Sequence, residues 1–356
     1  MSPPIPVVHS DAHLAHSGLI ELASGLEIAC WESPDRARAI EAALRDDGGY
    51  RFGAPGEHGR EPILAVHDAD MVEVVEHAWT DALAANAVDG PRPLLPDTFL
   101  LERYSGPMEL GGLPTARHLR LGAICFDTAT PIVAGTAGAA RVAVDVALST
   151  AEKVLSGAAL AYGLCRPPGH HAAKGMFGGY CYFNNAAIVA HWLVSNGGAR
   201  RVAILDIDYH HGNGTQQLFW ERGDVLYLSL HADPTRAYPY FSGHASETGA
   251  AAGAGLTHNW PLQARAAFDE YATALSEALS MVAGFGADAP LVLSAGFDTF
   301  ERDPIGDLAL RTADYARIGE MIGALGAQVV VLQEGGYALD ALGANVLALL
   351  GGLRRG

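Results

Sequence analysis

Residues 201–216 read RVAILDIDYHHGNGTQ, an apolar run that leads directly into acidic, histidine and glycine residues. The segment from Val202 to Leu205 is uniformly apolar, which is typical of a strand buried on both faces of a parallel sheet. Asp206, Asp208 and His210 then follow at alternate positions. Because alternate side chains of a strand point to the same face, two or three of these groups can aim into one site. This stretch therefore predicts an α/β fold with its chemistry at the end of a strand.

Four other short apolar runs resemble this one and alternate with longer helical patterns, which favours a mainly parallel sheet covered by helices on both faces. Each of the five runs leads into a segment rich in His, Asp or Tyr. Since ligands bind outside the carboxyl ends of parallel strands, the five endings are predicted to converge on one crevice. The predicted strands are 158–165, 201–207, 225–230, 290–294 and 328–332, and the predicted helices are 70–85, 138–155, 184–195 and 264–283, the last two closed by glycines 197–198 and 284.

Composition favours a single soluble domain that spans residues 1–356, because no linker, charge run, repeat or low-complexity tract divides the 356 residues. A formal net charge of −17 disfavours nucleic acid and anionic membranes as partners and favours a cationic substrate. Four widely spaced cysteines without a C-x-x-C pair suit a reducing compartment. No membrane-spanning apolar stretch and no signal-peptide pattern is seen, so we expect a cytoplasmic protein.

Segment 86–118 differs from the rest of the chain, since it is rich in proline and glycine and has weak periodicity. It is predicted to be a long ordered loop within the domain. Loops of this length are often functional, but a surface insertion without a role has the same composition. Both interpretations stay open at this point.

Asp208, His210 and Asp298 form a candidate metal site. Asp298 follows the apolar run PLVLSAGF, so it comes from a second strand end and completes a carboxylate–imidazole–carboxylate set. Three protein ligands that leave a fourth position for water are typical of catalytic zinc. One acidic residue at a strand end can equally be a cap or an ion pair, but three such groups beside two further histidines favour a metal.

Two further motifs supply candidate catalytic groups. His170 and His171 lie in a Pro-Pro-Gly turn, and Asp206 and Asn213 are available to orient the two imidazoles. Without those partners, a histidine pair would be interpreted as a solvated turn. Tyr337 follows two glycines that allow a tight turn, so its phenol can reach the metal and donate to a developing oxyanion. The alternative for this tyrosine is a packed aromatic at a strand end.

The motifs CRPPGHHA, GGYCYFNNAA, AILDIDYHHGNGTQ, LSLHADP, SAGFDTFERDP and QEGGY together resemble the zinc-dependent histone deacetylase superfamily. The resemblance implies the arginase–deacetylase-like fold, a three-layer α/β/α arrangement with a mainly parallel central sheet. Within the superfamily, ETGAAAGAGLTHNWPL, DTFERDPI and PVVHSDAHLAH are most similar to the bacterial acetylpolyamine amidohydrolases. The resemblance extends from about residue 7 to about residue 351, with the motifs in family order.

Roles for single residues follow from this resemblance. It implies one zinc ion on Asp208, His210 and Asp298, with Tyr337 as the oxyanion donor. It also implies an acid–base pair and a potassium ion next to the zinc. The pair comprises His170 and His171, backed by Asp206 and Asn213, and the potassium positions are Asp206, Asp208, His210, Ser229 and Leu230.

The substrate tunnel implied by the resemblance is lined by Tyr180, Tyr238 and Ile305. Two positions depart from the polyamine enzymes, since His118 and Ala129 stand where those enzymes carry acidic residues near the tunnel mouth. The zinc chemistry is unaffected by these departures. They weaken the expectation of strong polyamine selectivity.

The predicted function is that of a zinc-dependent amidohydrolase acting on small N-acetylated amines, such as acetylpolyamines or acetylated diamines. The first alternative is a deacetylase of acetyl-lysine in proteins or peptides. A binuclear manganese ureohydrolase would need more carboxylates, for instance two residues after Asp298, where Phe300 stands. A non-catalytic protein that binds acylated amines is the last alternative. The resemblance implies a homodimer or homotetramer, with the 86–118 loop as a candidate contact.

Overall fold

The computed structural model describes residues 3–23, 25–88, 92–101, 112–286 and 289–356. Its centre is an eight-stranded sheet with the order β4-β1-β5-β10-β9-β6-β7-β8. Every described pairing in this sheet is parallel. The strands of this sheet are β1 (Ile5–Val8), β4 (Tyr50–Gly53), β5 (Leu160–Gly163), β6 (Val202–Asp206), β7 (Val225–Ala232), β8 (Thr257–Leu262), β9 (Leu291–Ala295) and β10 (Val329–Gln333). Strands β2 (Ile20–Ala23) and β3 (Leu26–Ala29) form a separate antiparallel hairpin.

Helices cover the sheet on both faces, as predicted for a three-layer α/β/α fold. The described helices are α1 (Pro34–Asp47), α2 (Glu61–Leu64), α3 (Ala69–Ala84), α4 (Leu121–Ile124), α5 (Thr136–Leu155), α6 (Asn185–Ser195), α7 (Asn213–Phe219), α8 (Phe268–Phe285), α9 (Thr312–Gly323) and α10 (Leu339–Arg355). Short 3₁₀ turns occur at Asp11–Ala15, Arg117–Arg120 and Ala251–Gly253. No helix among the described residues is long and apolar enough to cross a membrane.

Two hydrophobic cores lie on opposite faces of the sheet, and β6 contributes to both. Ala203 and Leu205 pack into the core that holds helices α1, α8, α9 and α10. Val202 and Ile204 pack into the core that holds α3, α5 and α6. Each fully buried aliphatic side chain of this kind contributes about 1.5–3 kcal/mol. Burial on both faces explains why this strand reads as an uninterrupted apolar run.

The five predicted strands are present, with ends that differ by one or two residues. The hairpin and strands β1, β4 and β8 were not predicted. Strands β1, β2, β3 and β4 are each only four residues long, and β8 is an edge strand that contains Pro261 and partly exposed side chains. Such a strand lacks the apolar run that identifies a central one.

Two helix ends differ from the predictions. Helix α8 continues through Gly284 to Phe285, and Gly286 follows it as the cap. Helix α6 is capped by Asn196, while Gly198 adopts the left-handed conformation with a φ of 76°. A single glycine is tolerated inside a helix at a cost of about 1 kcal/mol, so Gly284 does not end α8.

The predicted loop 86–118 is described only in part, because residues 89–91 and 102–111 lie outside the described residues. Leu94 exchanges two backbone hydrogen bonds with Ile132, of 2.8 and 2.9 Å. Arg117 makes two hydrogen bonds to the Asp81 carboxylate, of 2.7 and 2.9 Å. These contacts attach both ends of the loop to the body of the fold. The prediction of a single domain over 1–356 stays a prediction.

Candidate active site

Asp208, His210 and Asp298 meet beyond the carboxyl ends of β6 and β9. Their ligand atoms all lie within 4.8 Å of one another. His210 Nδ1 is 3.2 Å from Asp208 Oδ1 and 3.0 Å from Asp298 Oδ2. Tetrahedral zinc with bonds of about 2.0–2.2 Å separates its ligand atoms by about 3.3 Å. The observed spacing therefore fits one zinc ion.

The ligand carboxylates are fixed by backbone N–H groups. The N–H of Tyr209 donates to Asp298 Oδ1 at 2.9 Å, and that of Gly335 donates to Asp208 Oδ2 at 2.8 Å. A side chain on Gly296 would place its Cβ 2.0 Å from Asp208 Oδ2. Glycine at this position is therefore required for the close approach of the two strand ends. The remaining carboxylate oxygens are left to face His210.

The charges of this cluster also favour a cation. Burial, and then the negative charge of Asp208, raise the pKa of Asp298 above its usual value. Both carboxylates are buried, and no lysine or arginine forms an ion pair with either one among the described residues. Buried carboxylates are stable only when they are paired or bound to a metal. A divalent cation on the three ligand atoms would satisfy this requirement.

The histidine pair lies beside the cluster, with ring centroids 4.1 Å apart. His170 Nδ1 is 3.1 Å from Asp206 Oδ2, and His171 Nδ1 is 2.7 Å from Asn213 Oδ1. The structure thus brings together the partners predicted from the sequence. One imidazole has a charged partner and the other has a neutral one, so the two rings differ in basicity.

Electrostatics separate the two histidines further. Burial opposes the charged form of His170, but the Asp208 and Asp206 carboxylates outweigh it and raise the pKa of His170 to about 10. Burial, together with the positive charges of His170 and His210, lowers the pKa of His171 well below its usual value. A bound divalent cation lowers both values, because it repels an imidazolium. His171 is therefore held neutral and can accept a proton.

Tyr337 completes the site after a turn in which Gly336 has a φ of 114°. Its backbone N–H donates to Asp303 Oδ2 at 2.6 Å. The guanidinium of buried Arg36 lies 4.6 Å from the phenol ring centroid, and its Nε donates to the Gly336 carbonyl at 2.7 Å. Burial keeps the pKa of the Tyr337 phenol well above its usual value. The phenol therefore stays protonated and can donate a hydrogen bond.

Comparison with known proteins assigns the family. Residues 30–353 match the model of the histone deacetylase domain. The chain belongs to the histone deacetylase family. It is 44% identical over 346 residues to acetylpolyamine amidohydrolase 1 of Pseudomonas aeruginosa, covering 97% of each chain. It is 41% identical over 347 residues to acetylpolyamine amidohydrolase of Mycoplana ramosa, covering 98% of this chain and 99% of the relative.

Solved structures agree with this assignment. The crystal structure of acetylpolyamine aminohydrolase from Burkholderia pseudomallei superposes with a TM-score of 0.89 at 35% identity, over 98% of each chain. The HDA15 HD domain superposes with a TM-score of 0.80 at 29% identity, over 99% of this chain and 88% of that domain. The predicted family and the predicted arginase–deacetylase-like fold are therefore confirmed.

In this histone deacetylase family member, the candidate catalytic groups line a pocket of about 320 Å³. The predicted tunnel residues Tyr180, Tyr238 and Ile305 all line it, and so does Ala129. His118 is not among its lining residues. It lies on the 3₁₀ turn Arg117–Arg120, which is held against α3 through Arg117.

The remaining positions are those of the predicted potassium site. Asp206 pairs with Ser229 in the register of β6 and β7, and both are buried. Ser229 Oγ is 2.8 Å from His231 Nδ1. Leu230 is the next residue of β7. Asp206 Oδ1 accepts the Asp208 N–H at 3.2 Å, so these positions adjoin the candidate metal cluster, and the potassium ion stays a prediction.

Several pocket residues were not predicted. Glu21 accepts a 2.7 Å hydrogen bond from the Tyr180 hydroxyl, and Asp127 accepts a 2.9 Å hydrogen bond from the Tyr238 hydroxyl. Burial raises the pKa of Glu21 above its usual value. Arg236 also lines the pocket, but its guanidinium is paired with Asp307. Neither acidic residue follows a strand of the central sheet, so no strand-end pattern could reveal them.

Proposed function

We propose that this histone deacetylase family member is a zinc-dependent deacetylase of small N-acetylated amines such as acetylpolyamines and acetylated diamines. One observation carries the proposal. The zinc-like cluster of Asp208, His210 and Asp298, the neutral imidazole of His171 and the phenol of Tyr337 all line or adjoin one pocket. Amide hydrolysis needs these three elements together.

When bound, zinc supplies Lewis-acid polarisation of the acyl carbonyl and acidifies a water molecule. His171 Nδ1 donates to Asn213 Oδ1, so its Nε2 is free to accept the proton of the attacking water and to return one to the leaving amine. The Tyr337 hydroxyl donates to the carbonyl oxygen as negative charge develops there. His170 is oriented by Asp206 and supplies a positive field behind the reacting groups.

The pocket walls favour a thin cationic chain. Tyr180 and Tyr238 line the pocket, and the carboxylates of Glu21 and Asp127 accept their hydroxyls. A narrow aromatic passage with two acidic groups suits an extended amine better than a folded protein surface. The relatives named acetylpolyamine amidohydrolase, at 41–44% identity, support the same substrate class. A peptide acetyl-lysine deacetylase is the second candidate, since Histone deacetylase 15 of Arabidopsis thaliana is 33% identical over 322 residues.

The test is kcat/KM of zinc-loaded protein for acetylputrescine, acetylcadaverine, acetylspermidine and an acetyl-lysine peptide at fixed ionic strength. We expect the small amines to exceed the peptide. A wide margin in favour of the peptide would transfer the proposal to the second candidate. Absence of turnover with all four would favour a non-catalytic binding protein.

Metal analysis separates this proposal from the ureohydrolase alternative. One zinc per chain is expected, whereas a binuclear enzyme would hold two manganese ions. Phe300 packs in the hydrophobic core, and Asp303 accepts the N–H groups of Ile305, Tyr337 and Ala338. Both positions near Asp298 therefore lack a free carboxylate for a second metal.

Three accompanying properties belong to the same proposal. A potassium ion would be held by the β6 and β7 positions given above, and activity should fall when potassium is replaced by a large organic cation. A homodimer or homotetramer is expected, and light scattering tests it. All four cysteines are buried and unpaired, which suits a reducing compartment such as the cytoplasm.

A further inference from the structure

Asp127 joins the two aromatic walls of the pocket. Its Oδ2 accepts the Gly179 N–H at 2.6 Å and the Tyr238 hydroxyl at 2.9 Å. Its Oδ1 accepts the Ala129 N–H at 3.1 Å. The Cys125 thiol lies 3.9 Å from Oδ1, at the long limit of a weak S–H donor, so of about four lone-pair sites three accept strong donors and the fourth does not. The side chain is half-buried and lines the pocket.

The carboxylate also lies close to the reacting groups. Gly179 packs flat against the His171 ring, since a Cβ added to this glycine would lie 2.2 Å from His171 Cδ2. Because Gly179 N is 2.6 Å from Asp127 Oδ2, that oxygen lies within about 8 Å of the imidazole. Tyr238 makes a second link, with its ring centroid 5.1 Å from that of His171.

No protein cation neutralises Asp127. Among the described residues no lysine, arginine or histidine forms an ion pair with it. Arg236 is the arginine of the pocket lining, and it pairs with Asp307 and donates to the Leu262 carbonyl at 3.0 Å. Asp127 is thus a negative charge near the active site whose partners in the protein are all uncharged donors.

We propose that Asp127 is a specificity-determining residue, which accepts the distal ammonium of an acetylated linear diamine. This rests on the proposed deacetylase function and deepens it. In a fully extended polypeptide, the three backbone bonds of one residue span about 3.3–3.6 Å. On the same scale, the five bonds from the amide nitrogen to the ammonium nitrogen of monoacetylated 1,4-diaminobutane span about 6 Å. With the amide nitrogen beside His171, the ammonium comes within hydrogen-bond reach of the carboxylate. A charge-assisted hydrogen bond in a partly desolvated site then favours the cationic chain.

The experiment compares two substrates that differ only in the terminal group: N-acetylputrescine, which ends in ammonium, and N-pentylacetamide, which ends in methyl. In Asp127→Asn the amide oxygen still accepts the Gly179 N–H, but the charge is gone. We expect kcat/KM for N-acetylputrescine to fall at least tenfold, mainly through KM. The value for N-pentylacetamide should stay within twofold. Asp46→Asn is the matched control, because it removes one negative charge from the exposed last turn of α1, outside the pocket.

Equal losses for both substrates would overturn the proposal, because a merely structural residue affects them alike. Unchanged kcat/KM for both would overturn it as well. Zinc content and melting temperature verify folding, and Asp127→Ser replaces Asp127→Asn if the latter misfolds. If neither variant folds, wild-type protein decides by chain length: the kcat/KM ratio between the ammonium and the methyl substrate should fall at least tenfold when both chains are shortened by two carbons. An unchanged ratio overturns the proposal, because the net charge of −17 acts on both lengths alike.

Failure of the proposed function gives a different result. Wild-type protein would then hydrolyse neither substrate. Asp127 would be tested by calorimetric titration of both amides, in which wild type should bind N-acetylputrescine at least tenfold more tightly than Asp127→Asn does. Equal affinities would overturn the role of Asp127 separately.

Discussion

Each reactive side chain of the pocket is held by a partner that fixes its direction and its charge. Asp206 orients His170, Asn213 orients His171, and Arg36 lies against the ring of Tyr337. Fixed donors near a developing charge lower the barrier, because they need no reorganisation during the reaction. The chemistry of single residues in this site therefore depends on neighbours that never touch the substrate.

Replacing Tyr337 by phenylalanine should leave the metal bound and lower kcat by roughly 10²–10³, the cost of losing one oxyanion donor. The ring would still pack against Arg36, so the fold is preserved. The measurement is steady-state kinetics together with zinc content. A rise in KM at constant kcat would instead make Tyr337 a residue that only binds substrate.

Substituting Asp208 or Asp298 by alanine should abolish both zinc retention and activity, because each change removes one of three protein ligands. Zinc is measured by elemental analysis after dialysis. Asp307→Asn is a useful control, since Asp307 is an acidic residue that pairs with Arg236 instead of the metal cluster. Full activity of Asp208→Ala at normal zinc content would contradict the ligand assignment.

The sequence predicted the metal cluster and the histidine pair because these residues follow buried strands or tight turns. It did not predict Arg36 or Asp127. Arg36 reaches the Gly336 carbonyl across 300 residues of sequence, and Asp127 acts through Gly179 and Tyr238. Both residues also have local partners, Glu32 and Ala129, but no local pattern reveals the distant contacts by which they reach the site. His118 lies on the turn that Arg117 holds against α3, and its place near the tunnel mouth, which rests on the resemblance alone, stays a prediction.

Turns at the ends of elements set the position of the catalytic rings. Gly179 and Tyr180 are consecutive left-handed residues, with φ values of 59° and 65°. Asp127 accepts the N–H of the first and Thr130 Oγ1 accepts that of the second. A non-glycine residue in this conformation costs on the order of 1–3 kcal/mol, which these hydrogen bonds offset. The turn thereby holds its backbone against His171 and the Tyr180 ring near Tyr337.

Gly179→Ala should therefore reduce kcat by at least about a hundredfold, because a Cβ 2.2 Å from His171 Cδ2 forces the imidazole to move. Gly198→Ala is the matched control. Gly198 is also left-handed, with a φ of 76°, but a Cβ there meets nothing within 4 Å. Gly198→Ala should lose about 1 kcal/mol of stability in denaturant titrations, and Gly179→Ala should lose more, because its Cβ also displaces His171. Equal activity in the two variants would show that the turn does not position His171.

At the scale of the whole molecule, buried histidines pack beside one core: the ring centroid of His16 lies 5.3 Å from that of Tyr182, and that of His67 lies 5.8 Å from that of Phe183. Burial lowers the pKa of His16 and of His67 to about 4. His67 Nδ1 donates to the Ala173 carbonyl at 2.8 Å, and its Nε2 accepts the Asn184 N–H at 2.9 Å. Protonation of Nε2 would abolish the second bond. The fold as a whole therefore has a built-in sensitivity to acid.

The direction in which pH changes the stability follows from the pKa of the histidine in the folded and in the unfolded chain. A histidine in the unfolded chain has a pKa near 6.5, above the folded value of about 4 for His67, so the unfolded chain takes up the proton first as pH falls. The contribution to stability is complete above about pH 6.5 and is lost progressively between pH 6.5 and about 4. At pH 5, each such histidine should lower the free energy of unfolding by about 2 kcal/mol relative to its value above pH 6.5, which lowers Tm by several degrees.

The variant His67→Gln tests this directly, because the glutamine oxygen can still accept the Asn184 N–H but cannot be protonated. We expect the Tm of His67→Gln at pH 7.5 to be equal to or lower than that of wild type. Between pH 7 and 5 its Tm should fall less steeply, by the part of the slope that comes from the uptake of about one proton on unfolding. His258→Gln is the control, since it makes the same substitution at a partly exposed histidine outside both cores. Identical slopes for wild type and His67→Gln would mean that the buried histidines do not determine the acid limit. A shallower slope in His67→Gln alone would assign that limit to the proton that Nε2 takes up on unfolding.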